Sequence, residues 1–289
     1  MLSTRTLKDF FHDTYVLHRS LEPDTETTIE RSIRQFATFL GKPAALSAIS
    51  ADDVSRWVRH MQAKGYSPYT IRSKRGDVLS VLNMAIDRGE REPLKKVRTV
   101  RLPEPTPKAW TLEEFGRIMH ACTQLPGTML DGTPRREYWS ALISAAYDTG
   151  LRRTDLLTLR ASDVTPDGRL WLTMNKTGKT ICSRVRPVTA RLIKRLAVQR
   201  GDEVFRIPGQ DGKPGHRNQL IKWWPKIRKL ANVTDGAFYK VRKTGATYCE
   251  KQSPGSARAY LGHATECMVR FYVDRRIAGD DPPLPPEIG

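Results

Sequence analysis

Cysteine is scarce in this sequence, and long apolar runs are missing. The 289 residues include four cysteines that lie far apart and form no C-x-x-C pair: Cys122, Cys182, Cys249 and Cys267. This spacing argues against a disulfide framework and against a structural zinc site. We also expect no signal peptide, and therefore a cytoplasmic protein with reduced thiols. No apolar run approaches the length of a membrane-spanning helix, so we expect no membrane partner.

Motifs for nucleotide and metal binding are absent as well. The sequence has no Walker A loop, no carboxylate cluster suited to magnesium and no zinc-ligand spacing. These absences argue against ATP-driven and metal-dependent chemistry. We therefore expect neither a cofactor nor a bound metal.

Basic residues, by contrast, are abundant. Lysine and arginine together number 49 against 31 aspartates and glutamates, which gives a formal net charge of +18. The parts of the chain before and after residue 103 both carry an excess of positive charge, so the charge is not confined to a detachable tail. An excess of this size predicts a polyanionic partner, and two basic domains can hold one nucleic acid between them.

Helical patterns fill the first hundred residues. Apolar side chains recur at helical spacing up to Gly41, and Ser50 with Asp53 forms a capping box before the next apolar face. Pro68 lies just inside the start of another helix, and Gly89 lies just past its end. With an earlier helix near the amino terminus, these signals predict a module of four helices.

We predict two domains joined by a proline-rich segment. The helical module covers 1–102, the linker covers 103–109, a second domain covers 110–275 and a proline-rich tail covers 276–289. Alternating prolines favour an extended linker of roughly 3.1 Å per residue. Such a linker suits a clamp around a duplex, although an ordinary spacer between domains would have the same composition.

One stretch of the second domain departs from the helical pattern. "RLWLTM" and "SRVRPVT" have the alternation typical of strands, and "NKTGKTIC" joins them with Gly178 in the turn. Helices are predicted on both sides of this hairpin. The first of them follows a second capping box, Thr111 with Glu114, and the last covers 264–274. The fold class is therefore mainly α with a small β-hairpin, an α+β arrangement.

Four stretches of the second domain carry candidate site residues. They are Arg152, Arg153 and Asp155 in "TGLRRTDLL", Lys176 and Lys179 in "NKTGK", Tyr239, Arg242 and Lys243 in "FYKVRKTGATY", and His263 and Tyr272 in "LGHATECMVRFYVD". Each stretch also has an ordinary interpretation, as a surface charge, a solvated turn lysine, a cationic helix face or a packed aromatic ring. Arg152 lies beside a helix start, where backbone N–H groups favour an anion. Asp155 is placed to pair with an arginine or to fix the entry of that helix.

In this order the four stretches resemble the motifs of the tyrosine recombinase, or phage integrase, family. "TGLRRTDLLTLRASDV" resembles the arginine-bearing box, "NKTGK" the hairpin lysine and "YKVRKTGAT" the H-x-x-R helix of that family. "LGHATECMVRFY" is similar to the stretch that ends in the nucleophilic tyrosine, with nine residues from His263 to Tyr272. "SPYTIRSKRGDVLSVLNMAIDRG" resembles part of the helical, SAM-like core-binding domain. The resemblance spans almost the whole chain.

The resemblance implies a site-specific recombinase that cuts and rejoins DNA through a 3′-phosphotyrosyl intermediate, without ATP or metal. Tyr272 corresponds to the nucleophile, and Arg152 with Arg242 to the arginines that neutralise the scissile phosphate. Lys176 corresponds to the general acid, with Lys179 as an alternative because hairpin registers slip easily.

Two further positions take roles from the same resemblance. His263 would hydrogen-bond the phosphate, and Asp155 would orient its neighbours. Tyr239 stands where the family usually has histidine. A phenol can donate a hydrogen bond to phosphate but is a poor base near neutral pH, so its role in proton transfer differs from that of histidine.

The implied partner is double-stranded DNA, held by a homo-oligomer that is a tetramer during recombination of a mobile element or a chromosome. Candidate DNA contacts are Arg72, Lys74, Arg75, Arg153, Lys179 and Lys243. The implied location is the nucleoid in the cytoplasm. Two alternatives stay open: a DNA-binding protein on the same fold that does not cleave, and a strand transferase that relaxes DNA or forms hairpins without a four-protomer synapse.

Overall fold

The chain folds into two compact units. The structure, a computed structural model, describes residues 4–41, 45–175, 178, 180–206, 216–262 and 265–279. The first unit is Met1–Glu104 and the second is Pro105–Gly289.

The elements in the described part of the first unit are all helices. Helix α1 covers Leu7–Phe10 and continues as a π-helical turn, Phe11–Tyr15. Helices α2, α3 and α4 cover Pro23–Leu40, Ala51–Ala63 and Pro68–Asp87, and a short 3-10 helix covers Leu46–Ala48. The prediction of a helical amino-terminal module is confirmed for these residues.

Local signals fix the ends of these helices. Gly41 ends α2 in the left-handed conformation, with φ of +72°. The Ser50 hydroxyl accepts from the Asp53 amide, and the Asp53 carboxylate accepts from the Ser50 amide at 2.9 Å. Pro68 is the first residue of α4, where its missing N–H leaves no helical hydrogen bond unmade.

The core of the first unit is formed by one apolar face from each helix. Its fully buried side chains include Phe10, Phe36, Trp57, Val78 and Leu82. Arg91 is buried beside this core, and its guanidinium donates to the carbonyls of Leu46 and Ile49 at 3.2 and 2.7 Å.

The second unit contains eight further described helices and one hairpin. In chain order they are α5 Leu112–Thr123, α6 Arg135–Thr149, α7 Arg153–Leu157, β1 Arg169–Thr173, β2 Thr180–Arg184, α8 Pro187–Arg200, α9 His216–Leu230, α10 Lys240–Gln252, α11 Ser256–Leu261 and α12 Arg275–Ala278. Short 3-10 helices cover Ala161–Asp163 and Glu266–Phe271. The α+β fold class predicted from the sequence is confirmed.

Helix α6 lies at the centre of the second unit. Tyr138, Trp139, Leu142 and Ile143 are fully buried, and α5, α8 and α10 pack around them. Helix α5 begins at the predicted capping box of Thr111 and Glu114, and residues 92–111 before it form neither helix nor strand. Among the described residues, no helix combines the length and the apolar character needed to cross a membrane.

The second strand of the hairpin differs from the prediction at both of its ends. Strands β1 and β2 pair antiparallel, from Arg169 opposite Arg184 to Thr173 opposite Thr180. The second strand therefore includes "TIC", which was predicted to belong to the turn, and it ends before "RPVT". Pro187 begins α8 immediately afterwards, which leaves the predicted end of the strand inside a helix.

A second correction concerns the segment before Tyr272. A helix was predicted over 264–274, but the described part forms the 3-10 helix Glu266–Phe271. Tyr272 follows it with φ of −120°, and Asp274 then begins a separate short helix. The segment thus bends just where the candidate nucleophile lies.

Candidate active site

The turn between α6 and α7 places Arg152. Gly150 ends α6 with φ of +60°, and Arg152 is the residue immediately before α7. The Arg152 side chain is half-buried, and its Nη1 donates to the Met174 sulfur at 3.3 Å. Arg152 therefore lies against the end of β1, beside the amino terminus of a short helix.

Arg242 joins two distant backbone segments. It is the third residue of α10 and only 4% exposed. Its Nη1 donates to the Gly150 carbonyl, and its Nη2 donates to the Leu261 carbonyl at 2.9 Å. Burial lowers the pKa of Arg242, while neighbouring Tyr272 and Tyr239 raise it. The cation is thus anchored between the end of α6 and the end of α11.

Close packing around Tyr260 holds these segments together. The Tyr260 hydroxyl donates to the Tyr147 carbonyl at 2.7 Å, and its ring lies against Gly150 and Gly245. A Cβ on Gly150 would lie 2.5 Å from Tyr260 Cε1, and the positive φ of Gly150 disfavours a side chain as well. Both glycines are therefore required by the contact that brings α11 beside α6 and α10.

Tyr272 is packed on Arg242. The residue is 8% exposed, and the Arg242 Cζ lies 5.2 Å from the centre of its ring. The hydroxyl of Tyr239 donates a hydrogen bond to the Tyr272 oxygen, and the two ring centres are 5.7 Å apart. Two of the predicted site residues therefore meet the candidate nucleophile directly.

Tyr239 connects Tyr272 with the surface. It immediately precedes α10 and is 42% exposed. Burial raises the pKa of Tyr239 well above its ordinary value, and the hydrogen bond to Tyr272 raises it further, while Arg242 and Arg152 oppose the shift. Tyr239 is therefore a hydrogen-bond donor and not a base near neutral pH.

A cavity of about 380 Å³ brings the two arginines together. It is lined by Arg152, Arg153, Tyr239 and Arg242, with apolar walls from Leu151 and Phe238. Always-protonated guanidinium groups at one cavity form a binding site for an oxyanion such as a phosphate diester. Tyr272 lies beside this cavity, behind the hydroxyl of Tyr239.

Asp155 bonds to Asn175, and pairing with an arginine was one of the two roles that its position in the sequence allowed. Its buried carboxylate accepts from the Asn175 amide N–H at 2.8 Å and from Asn175 Nδ2 at 3.1 Å. Its hydrogen bonds in the described part of the chain come from Asn175 and not from Arg152 or Arg153. The reason is that the first turn of α7 packs beside the end of β1, where the backbone N–H of Asn175 needs an acceptor.

A second carboxylate, Asp148, holds the other end of the hairpin. It accepts from the Arg186 amide at 2.9 Å, from Arg186 Nη1 at 2.6 Å and from the Thr189 hydroxyl at 2.6 Å. The sequence analysis missed this residue, although it stands two positions before Gly150. Asp148 and Asp155 thus fix both ends of the hairpin to the segment that carries Arg152.

Asp274 was missed as well. Its carboxylate accepts from the Ala109 amide at 2.9 Å and pairs with Arg276, and its own amide donates to the Thr247 hydroxyl at 2.9 Å. Burial alone would raise the pKa of Asp274, but the hydrogen bonds from Arg276 and Ala109 hold it below its ordinary value. The residue two positions after Tyr272 is thereby fixed to α10.

The remaining predicted site residues fall into three groups. Lys176, Lys179 and His263 lie outside the described residues. Arg153 is exposed as the first residue of α7, and Lys243 is half-buried on α10. The remaining DNA-contact candidates, Arg72, Lys74 and Arg75, lie on α4 of the first unit, where burial lowers the pKa of Lys74 and Arg75. Within the described ranges, no three His, Cys, Asp or Glu side chains group as a metal site requires.

A family model supports the relationship that the motifs indicate. The model described as "Phage integrase family" matches residues 108–277, which contain every site residue of the second unit described above. In a comparison of sequences, the tyrosine recombinase XerC of Roseiflexus castenholzii is 23% identical over 208 residues. That match covers 71% of this chain and 59% of the relative, so the chain spans less than two thirds of the relative's length.

Solved structures share the fold across nearly the whole chain. A lambda integrase fragment, solved as a dimer bound to a COC′ core site, superposes with a TM-score of 0.75 and 18% identity. It covers 97% of this chain and 100% of the fragment. A lambda integrase tetramer bound to a Holliday junction has a TM-score of 0.72 and 18% identity, covering 96% of this chain and 79% of that one.

Proposed function

The chain belongs to the phage integrase family, and from that membership we propose that it is a site-specific DNA recombinase with Tyr272 as its nucleophile. One observation carries the proposal. Arg152 and Arg242, 90 positions apart in the sequence, line the same cavity, and Tyr272 packs on Arg242 at its margin. Two guanidinium groups beside one phenol form the set of groups that attack on a phosphodiester requires.

The proposed reaction is a transesterification. The Tyr272 hydroxyl gives its proton to water and its oxygen attacks the phosphorus. A bond from tyrosine to phosphorus forms as the bond from phosphorus to the 5′-oxygen breaks. Lys176 protonates the departing 5′-oxygen, with Lys179 as the alternative donor, and His263 hydrogen-bonds the phosphate. The energy of the broken ester is retained in the 3′-phosphotyrosyl bond, so rejoining by the 5′-hydroxyl needs neither ATP nor metal.

Arg152 and Arg242 neutralise the charge that builds on the non-bridging oxygens in this proposal. Arginine stays protonated even when burial lowers its pKa, as it does for Arg242. Its planar fork matches two phosphate oxygens, which a lysine ammonium cannot do. Asp155 acts through Asn175, by fixing the backbone next to the lysine of the hairpin.

We further propose that the partner is double-stranded DNA and that four protomers assemble on two sites. The formal charge of +18 favours a polyanion, and the similar lambda integrase was solved as a tetramer on a Holliday junction. Arg72, Lys74 and Arg75 of α4 are the proposed groove contacts of the first unit. In this proposal Arg153 and Lys243 contact the DNA backbone near the cleavage site. The protein then acts on DNA in the cytoplasm.

A nicked suicide substrate tests the proposal. Because of the nick, the strand that cleavage releases is short and diffuses away with its 5′-hydroxyl. Rejoining is then impossible, so the covalent intermediate accumulates. The wild-type chain should give a protein–DNA adduct that resists denaturation, and Tyr272→Phe should bind the same DNA without forming it. Tyr66→Phe, a change of an exposed tyrosine in the first unit, is the matched control and should form the adduct normally.

The two alternatives give different outcomes. If the wild-type chain binds the substrate but forms no adduct, it is a DNA-binding protein that has lost cleavage, and the recombinase proposal is wrong. If the adduct forms but two labelled duplexes never exchange strands, the chain is a strand transferase that acts without a synapse.

A further inference from the structure

We infer that Tyr239 is a positioning residue for the nucleophile, whose hydroxyl donates a hydrogen bond to the Tyr272 oxygen and favours the ionised form of Tyr272 that attacks. The inference rests on the proposed function, because it assigns Tyr272 as the nucleophile. It gives Tyr239 a task different from the phosphate contact that its place in the sequence motif implies.

The geometry of the two phenols supports this assignment. The Tyr239 hydroxyl donates to the Tyr272 oxygen, with the ring planes inclined by 54°. The backbones of both residues are fixed. Tyr239 accepts a bond from the Lys243 amide as α10 begins, and the Tyr272 amide donates to the Val269 carbonyl at 2.8 Å. The contact thus joins two residues whose backbones are each held by a hydrogen bond.

Charged groups from several elements surround this contact. Arg242 of α10 faces the Tyr272 ring, and Arg152, at the start of α7, acts on Tyr239. Asp274, two positions beyond Tyr272, accepts hydrogen bonds from Arg276 and the Ala109 amide. Burial and the hydrogen bond to Tyr272 raise the pKa of Tyr239, so Tyr239 keeps its proton and is the donor of the contact. In the proposed reaction the developing negative charge therefore lies on Tyr272.

This arrangement serves both directions of the reaction. During attack, the donated hydrogen bond stabilises the negative charge on the phenolate oxygen. During rejoining, the same oxygen leaves phosphorus as a phenolate, and the Tyr239 hydroxyl meets it again. A neutral histidine N–H could make the same contact, which gives a physical reason why tyrosine is tolerated at this position.

The pH dependence of cleavage is the first test. Tyr239→Phe removes one oxygen and keeps the ring. We expect it to slow adduct formation on the nicked substrate roughly 10- to 100-fold, because a charge-assisted hydrogen bond to the attacking oxygen is lost. The pH at half-maximal rate should rise by about one unit, while DNA affinity changes by less than about 2-fold. Tyr239→His should recover much of the rate, and Tyr66→Phe should leave the profile unchanged.

A spectroscopic titration of the free protein is the second test. Phenolate absorbance near 295 nm, compared among wild type, Tyr239→Phe and Tyr272→Phe, reports the pKa of Tyr272 without DNA. A higher Tyr272 pKa in Tyr239→Phe supports the inference. An unchanged Tyr272 pKa, or an unchanged pH profile of cleavage, overturns it. If no variant forms an adduct, the proposed function fails, but this titration still decides whether Tyr239 favours ionisation of Tyr272.

Discussion

Asp274 shows how a single residue outside the reacting groups can hold a site in place. It lies two positions after Tyr272, and its carboxylate receives hydrogen bonds from the Ala109 amide and from Arg276. The Asp274 amide in turn donates to Thr247 of α10. The position of Tyr272, the proposed nucleophile, therefore depends on a buried carboxylate that contacts no substrate in the proposed reaction.

The pKa of Asp274 predicts how this support responds to acid. In the folded protein the pKa of Asp274 is below the ordinary aspartate value near 3.9. The hydrogen bonds to its carboxylate therefore stabilise the fold above that ordinary value, and this stabilisation is lost as the pH falls through the folded pKa. Asp274→Asn should lower the free energy of unfolding by about 1–3 kcal/mol at pH 7. The difference from wild type should shrink below pH 4 in chemical denaturation. Asp87→Asn, at an exposed position of α4, is the control and should show a small difference at every pH.

At the scale of elements, the hairpin is held at both ends by carboxylates from the Arg152 segment. Asp155 accepts a hydrogen bond from Asn175, two residues beyond the end of β1. Asp148 accepts from Arg186 and Thr189, where β2 leads into α8. The hairpin carries the lysines proposed as general acids. Fixing its two ends sets where such a lysine can reach, so the two carboxylates couple the position of the acid to that of Arg152.

Removing one of these carboxylates should therefore affect chemistry more than binding. We expect Asp155→Ala to reduce the rate of adduct formation roughly 10- to 100-fold, with less than about a 3-fold change in DNA affinity, because misplacing a catalytic group by about 1 Å can cost that much. Asp155→Asn keeps an acceptor oxygen and should lose less. Single-turnover cleavage beside a binding assay separates the two effects.

Asp167 supplies the control for this experiment. It lies in the turn before β1 and pairs with Arg169 at 3.0 Å, and both side chains are more than half exposed. Asp167→Ala should leave cleavage unchanged, since exposed ion pairs contribute little. Equal rates for Asp155→Ala and Asp167→Ala would contradict the role assigned to the buried carboxylate.

The elements that the sequence predicted well are those set by neighbouring residues. The capping boxes at Ser50 and Thr111 join residues three positions apart, so a short stretch contains the whole signal. The partner of Asp155 could not be predicted in this way, because Asn175 is 20 positions away and is brought close only by the fold. Prediction of the second strand failed because β-propensity depends on the pairing partner, which set its range at Thr180–Arg184.

At the scale of the whole molecule, positive charge is spread over both units. The predicted DNA contacts on α4 lie in the first unit, and the arginine cavity lies in the second. Each phosphate neutralised by a lysine or arginine releases counterions, so affinity falls steeply as salt rises. The motifs predicted which residues of the second unit meet at the cavity, among them Arg152, Tyr239 and Arg242. They could not predict which face would contact DNA, because exposed lysines and arginines occur on many surfaces.

Salt dependence distinguishes true phosphate contacts from other surface charges. If six to ten phosphates are neutralised, affinity should fall by roughly 10³–10⁵ between 50 and 200 mM salt. The triple change of Arg72, Lys74 and Arg75 to glutamine should reduce the slope of log K against log salt by about 3. Glutamines at Arg59, Lys64 and Lys95, which are exposed in the same unit, remove equal charge. The α4 assignment is wrong if both triple variants show the same slope.

Arg242 has a consequence that extends beyond its charge. Its guanidinium donates hydrogen bonds to the carbonyls of Gly150 and Leu261. The cation is therefore fixed at the cavity only when the ends of α6 and α11 are packed together. In the proposed reaction, the pair of arginines at the cavity is therefore complete only when these two helix ends are packed together. Local melting of either helix end removes the anchor of one of the two cations.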